Sequence, residues 1–208
     1  MRKILTTLLI ALISIGVKSQ VVLPFFSDSD DIEVSASNSG TYKNMSVEVS
    51  NNTRDNLKIL FPEGSVFINS TSTQQNLVIV FPEEFELSAG ESKRITVYTA
   101  CMDPSKSAPS SSRNWTLSYE KKVGDLIRGY HDNRSMVEMM TGAEHHNTFD
   151  KRHNFLQMSV WVYYNADKQQ ILNFATQYMF DGNRQQASAF VDVFYPMAVL
   201  FINLYKSF

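Results

Sequence analysis

Near residue 120 the apolar residues change their period from two to about 3.6, and this switch constrains the fold more than any other feature. A period of two places side chains on alternate faces of a strand, whereas 3.6 gathers them on one side of a helix. Before the switch, "DIEVSA" puts Ile32, Val34 and Ala36 on one face, and "KNMSVEVSNN" does the same for Met45, Val47 and Val49. "NLVIVFP" is a continuous apolar run, the pattern of a strand covered on both sides. In "KRITVYTACMD", Ile95, Val97, Thr99 and Cys101 share a face; Trp115, Leu117 and Tyr119 alternate in a last strand. After it, Val123, Leu126, Ile127 and Tyr130 fall on one side of a helix. Ser135 and Glu138 are spaced as a capping box, and Asn165-Ala166-Asp167 offers a cap between two further helices. The chain is therefore expected to be α+β. An antiparallel β-sandwich over 25–119 precedes a helical part over 120–208, packed on it because its apolar faces are too large to leave wet.

The segments "MSVEVSNNT", "LKILFPEGSVF" and "FELSAGESKRITV" resemble the immunoglobulin-like modules of bacterial extracellular proteins. Leu87, Gly90, Glu91 and Ser92 supply the characteristic turn before a returning strand. The resemblance spans residues 30–103. It implies a sandwich with a binding or spacing role and no catalytic residues. The disulfide and companion tryptophan of antibody domains are absent.

"MRKILTTLLIALISIGVKSQ" begins with Arg2 and Lys3, continues through an apolar run from Ile4 to Val17, and places Val17 and Ser19 before Gln20. That is the layout of a secretory signal peptide over 1–19, cut near Gln20, and it resembles those of Gram-negative bacteria. The run is shorter than the roughly 20 residues a membrane span needs. The expected location is secreted or periplasmic. Cutting there removes three of the 19 basic residues and none of the 21 acidic ones, so the formal charge moves from −2 to about −5. An acidic chain without clustered Lys and Arg gives no reason to expect nucleic acid. Cys101 is the only cysteine, so no internal disulfide can form; on a strand face it reads as a small buried hydrophobe.

Several segments admit two readings. "DPSKSAPSSSR", residues 103–113, is rich in serine and proline; it reads as the exposed joint before the last strand, with a ligand-contacting loop as the alternative. Ala187–Tyr205 approaches a membrane-spanning length, but Asp192 and Pro196 interrupt it, and a buried helix pair accounts for Phe190, Phe194, Tyr195 and Phe201. Trp161, Tyr163 and Tyr164 read as packing between helices and sheet rather than as a sugar-stacking platform. Met136, Met139, Met140, Met158, Met179 and Met197 read as packing filler. Asn44, Asn51, Asn69, Asn114 and Asn133 each begin an Asn-x-Ser/Thr sequence.

All four histidines lie between 131 and 153, three of them in "GAEHHNTFDKRH". His145, His146, Asp150 and His153 are the one arrangement that approaches a metal set. Zinc needs three or four ligands in tetrahedral array. Here Gly142 and Asn147-Thr148 argue against a helix, and the His-Glu-x-x-His signature is missing. The stretch therefore reads as a solvated inter-helix loop, with no metal, cofactor or catalytic residue assigned. No nucleophile elbow, phosphate loop or dinucleotide fingerprint occurs. The expected function is a non-catalytic binding or scaffold protein of the cell envelope, its partner another envelope protein or a glycan. The alternatives are a metal-dependent hydrolase using the histidine cluster and a membrane-associated subunit using the C-terminal helix.

Overall fold

A computed structural model describes residues 19–23, 30–38, 43–109, 115–143 and 149–206. The expected signal segment, Ser19 apart, lies outside the described residues. The strands are β1 (Ser19–Val22), β2 (Ile32–Ser37), β3 (Asn44–Asn51), β4 (Leu57–Phe61), β5 (Ser65–Asn69), β6 (Leu77–Ile79), β7 (Glu83–Leu87), β8 (Ser92–Cys101) and β9 (Trp115–Tyr119). The helices are α1 (Lys121–Asp132), α2 (Arg134–Thr141), α3 (Phe149–Tyr163), α4 (Lys168–Phe174), which runs on as a π-helical turn (Ala175–Met179), and α5 (Arg184–Tyr205). The fold is α+β, with its strands in two sheets. One has the order β1-β4-β7; the other, β2-β3-β8-β6-β5-β9.

The period-two faces go inward. Met45, Val47 and Val49 are fully buried, and β6, flanked by β8 and β5, is buried along its whole length. β7 and β8 flank the turn around Gly90 but belong to different sheets. Glu91 closes that turn: its Oε2 accepts from Ser88 N at 2.7 Å, which holds its carboxyl below the usual range. β1 begins ahead of residue 25, where the sequence starts the sheet, and pairs in parallel with β4. A four-residue strand with a distant parallel partner has too little period to be read locally. Asn51 and Asn69 begin two of the Asn-x-Ser/Thr sequences yet are buried, and Asn51 Nδ2 donates to the Asp55 and Ser88 carbonyls.

The helices join the same core. Val123, Leu126, Ile127, Trp161, Ile171 and Val191 are continuous with the strand residues, and Trp161 meets Phe174 edge to face at 5.3 Å. α1 docks by backbone contact: a Cβ on Gly124 would lie 2.7 Å from the Glu63 carbonyl oxygen, and Glu120 N donates to Gly64 O at 2.8 Å. Gly64 itself has φ +87, a conformation that glycine adopts at little cost.

α3 completes the edge of β8. β3 pairs with β8 only as far as Tyr98, so Thr99 and Cys101 point backbone groups where the neighbouring strand has stopped. His153 Nε2 lies 2.7 Å from Thr99 O. Gln157 Oε1 accepts from Cys101 N at 2.8 Å, while its Nε2 donates to Cys101 O at 2.9 Å. Residues four apart share a helix face, so this pair acts as a strand substitute for buried polar backbone that otherwise loses water without compensation.

Three local expectations are corrected. The Ser135–Glu138 capping box does not form. α2 starts at Arg134, behind Asn133, and Glu138 accepts from Arg134 Nε at 2.7 Å and from the Tyr130 hydroxyl at 3.1 Å. The buried phenol needs an acceptor, and this one is within reach. The apolar C-terminal segment is one helix with Pro196 inside it, not a pair. Burial of Ala187, Val191, Ala198 and Ile202 outweighs one missing amide bond. α5 is long and apolar enough to cross a membrane by length and composition alone. Finally, Met158 is buried, but Met136, Met139 and Met140 are exposed and fill no core.

Candidate functional site

The histidine-rich stretch divides. His145 and His146 lie outside the described residues. Asp150 and His153 fall on α3, which corrects that half of the predicted loop: the helix begins at Phe149, packing on Tyr98 at 4.5 Å between ring centroids. Asp150 is exposed and pairs with Lys43 at 3.8 Å. His153 is buried on β8, and desolvation pushes its pKa down to about 4 despite the Thr99 carbonyl. A carbonyl only accepts, so Nε2 carries the proton and donates. His131 is elsewhere, with Nε2 2.8 Å from Val80 O. Among the described residues, no three of His, Cys, Asp and Glu converge. Cys101 is fully buried, and desolvation pushes its thiol well up, away from the reactive thiolate.

A different place carries the features of a site. Where β8 ends, the chain turns through residues 103–107 opposite the α3–α4 connection. Two adjoining hollows, of about 350 and 250 Å³, share Pro104, Lys106 and Gln170 as walls. The larger is in the range of small-ligand pockets. Its far side brings Asn76, Tyr164 and Asn165; the smaller adds Asn173, Gln177 and Tyr178. Lys106 and Asp103 supply the charge, one of each sign.

Both walls are fixed from beneath. Gln75, fully buried, receives Asp103 N on Oε1 at 3.0 Å, donates Nε2 to Lys106 O at 3.3 Å, and sends its own N–H to Ser107 O at 3.1 Å. Asp103 Oδ1 accepts from Ser105 N at 2.9 Å and from its hydroxyl at 2.5 Å. On the other side, Asp167 caps α4 by accepting from Gln170 N at 2.8 Å, and Gln170 Oε1 accepts from Asp167 N at 2.9 Å. That reciprocal bond pins the glutamine's oxygen, so the group it offers outward is its NH2. Tyr164 has its phenol raised by burial and then by Glu120.

Two backbone irregularities sit on this wall. Asn165 has φ +62, a left-handed conformation uncommon outside glycine. Gln177 and Tyr178 belong to the π-helical turn, closed by Phe180 N donating to Ala175 O at 3.0 Å. Such turns and strained residues concentrate at functional positions.

No family model, curated protein or solved structure matches this chain.

Residues 103–107, the described start of the serine- and proline-rich segment, form one wall of the cleft. The opposite wall has a sequence signal that the apolar period hides: Gln170, Asn173 and Gln177 recur at spacings of three and four in "QQILNFATQY". Nothing local marks Gln75 as the residue beneath the loop.

Proposed function

We propose that this is a non-catalytic binding protein acting outside the cytoplasm, whose β-rich part is an immunoglobulin-like sandwich and whose ligand site is the cleft between the 103–107 loop and α4. The observation that carries the reading is an open, amide-lined cleft with both walls fixed in advance. Pre-set walls lower the ordering cost of binding. The non-catalytic reading is supported by the groups at hand: Asp103 is engaged by Ser105, and Lys106 and Asp103 are the charged side chains among the described lining. The basic, apolar and small-residue layout of residues 1–19 supports export.

The test compares wild-type protein with Gln170→Trp, which fills the cleft, after immobilisation and exposure to soluble extract of the native envelope. Retention of a component by the wild type alone is expected; equal retention by both excludes the cleft. Mass spectrometry of mature protein should find its first residue at or near Gln20, whereas an intact Met1 on soluble protein contradicts export.

A second reading has its own observation. Met136, Met139 and Met140 on α2 and Val193 and Leu200 on α5 are exposed, and a hollow of about 230 Å³ lies between α2 and α5. Exposed apolar surface of this kind suits a contact with a membrane-associated partner. Detergent dependence of solubility separates the two readings.

A further inference from the structure

We infer that the cleft takes an uncharged oligosaccharide; this rests on its being the binding site. The first argument is the chemistry of the lining. Gln170, Asn173 and Gln177 are exposed along one wall, with Asn165 at its end. A primary amide presents a donor pair and an acceptor in one plane. A sugar presents hydroxyls that both donate and accept, spaced on a rigid ring. Gln170 is already oriented, because its oxygen is held by Asp167 N and its NH2 is what remains to be given. Tyr164 and Tyr178 add half-buried aromatic surface for the apolar C–H faces of a pyranose.

The second argument is charge. Lys106 and Asp103 are the charged residues of the lining, one of each sign, so the lining carries no net formal charge to select an anionic or cationic ligand.

The third argument sets aside a peptide. An extended peptide binds by adding its backbone to unpaired backbone at a sheet edge. Here the wall is already paired: Met102 N donates to Asn76 O, Ser107 N to Thr73 O, and Gln75 holds Asp103 N and Lys106 O. What remains for a ligand is side-chain amide and ring surface, which suits hydroxyls.

The experiment is an amide-resolved NMR titration of the mature chain with cellotetraose, maltotetraose, chitotetraose and α-mannotriose, each at millimolar concentration. At least one should move the Gln170, Asn173 and Gln177 side-chain amides and the Lys106 backbone. Its affinity should hold constant as salt rises, since no charge pairing is involved. Gln170→Ala and Gln177→Ala should each weaken it by about tenfold, the loss of one good hydrogen bond, with melting unchanged in Gln177→Ala and slightly lowered in Gln170→Ala, which also opens half of the α4 capping box. Binding that both variants leave intact overturns the site. If all four sugars are silent while short peptides from a protein digest move the same resonances, the sugar inference falls and the binding reading stands. If neither sugars nor peptides perturb the cleft, both fall.

Discussion

Gln157 and Gln170 are both glutamines on the helical side of the molecule, and they end in opposite situations. Gln157 is fully buried, and both ends of its amide are taken by one residue of β8. Gln170 is exposed, with its oxygen fixed by a cap and its nitrogen facing an open cleft. The same functional group serves cohesion where water is excluded and recognition where water can be displaced. The seam between α3 and β8 should therefore be intolerant of substitution, and the cleft tolerant, with the effects of the second confined to binding.

The sharpest way to break this contrast is Gln157→Leu. It strands the N–H and C=O of Cys101 in the core, at about 1–3 kcal/mol each. Urea unfolding should show a loss of about 4 kcal/mol. A loss below about 1 kcal/mol would mean that α3 is not needed to finish the β8 edge.

The seam also predicts a pH dependence. His153 titrates near 6.5 when unfolded and at about 4 when folded, so between these values the unfolded chain holds the extra proton and stability falls as the pH is lowered. The contribution is complete above about pH 6.5, declines toward pH 4, and amounts to about 3 kcal/mol. Stability curves of wild type and His153→Gln should run parallel above pH 7 and converge toward pH 4. A constant offset across the range removes His153 from the acid response.

At the junction of seam and cleft, Asp167→Ala removes the carboxylate that caps α4 by accepting from Gln170 N, and leaves in place the backbone N–H from which Gln170 Oε1 accepts. Thermal melting should show about 1 kcal/mol of destabilisation, together with weakened ligand retention as fraying of the uncapped first turn loosens Gln170. Retention unchanged by this variant would separate the cap from the site.

The smallest effect belongs to the cleft itself. Asn173→Ala and Gln177→Ala change exposed side chains and should shift stability by less than about 0.5 kcal/mol. A larger loss in either would make the amide stripe part of the scaffold and erase the contrast.

The residues that announce elements did so through local period and chemistry. Met45, Val47 and Val49 show a strand; Val123, Leu126 and Ile127 a helix; Asp167 a cap; Cys101 a buried position. Each depends on neighbours within a few residues, so the sequence alone was sufficient. The failures share one cause. Ser135 and Glu138 have the spacing of a cap, but Tyr130, buried from a neighbouring helix, claimed the carboxylate. The Asp150–His153 half of a loop-like stretch became helix because Phe149 and His153 had a sheet to pack against. β1 has a partner far along the chain.

For the site, the same division holds. The sequence determined that a serine- and proline-rich segment follows the long strand, that three amides recur along one helix, and that no familiar catalytic motif is present. Only the tertiary structure decided that loop and amides face each other, because Gln75 holds the loop from beneath and Gln157 ties α3, the helix that leads into α4, to the end of β8. A buried glutamine's value depends on which unpaired backbone it meets, and that is a property of the assembled fold rather than of any stretch of chain.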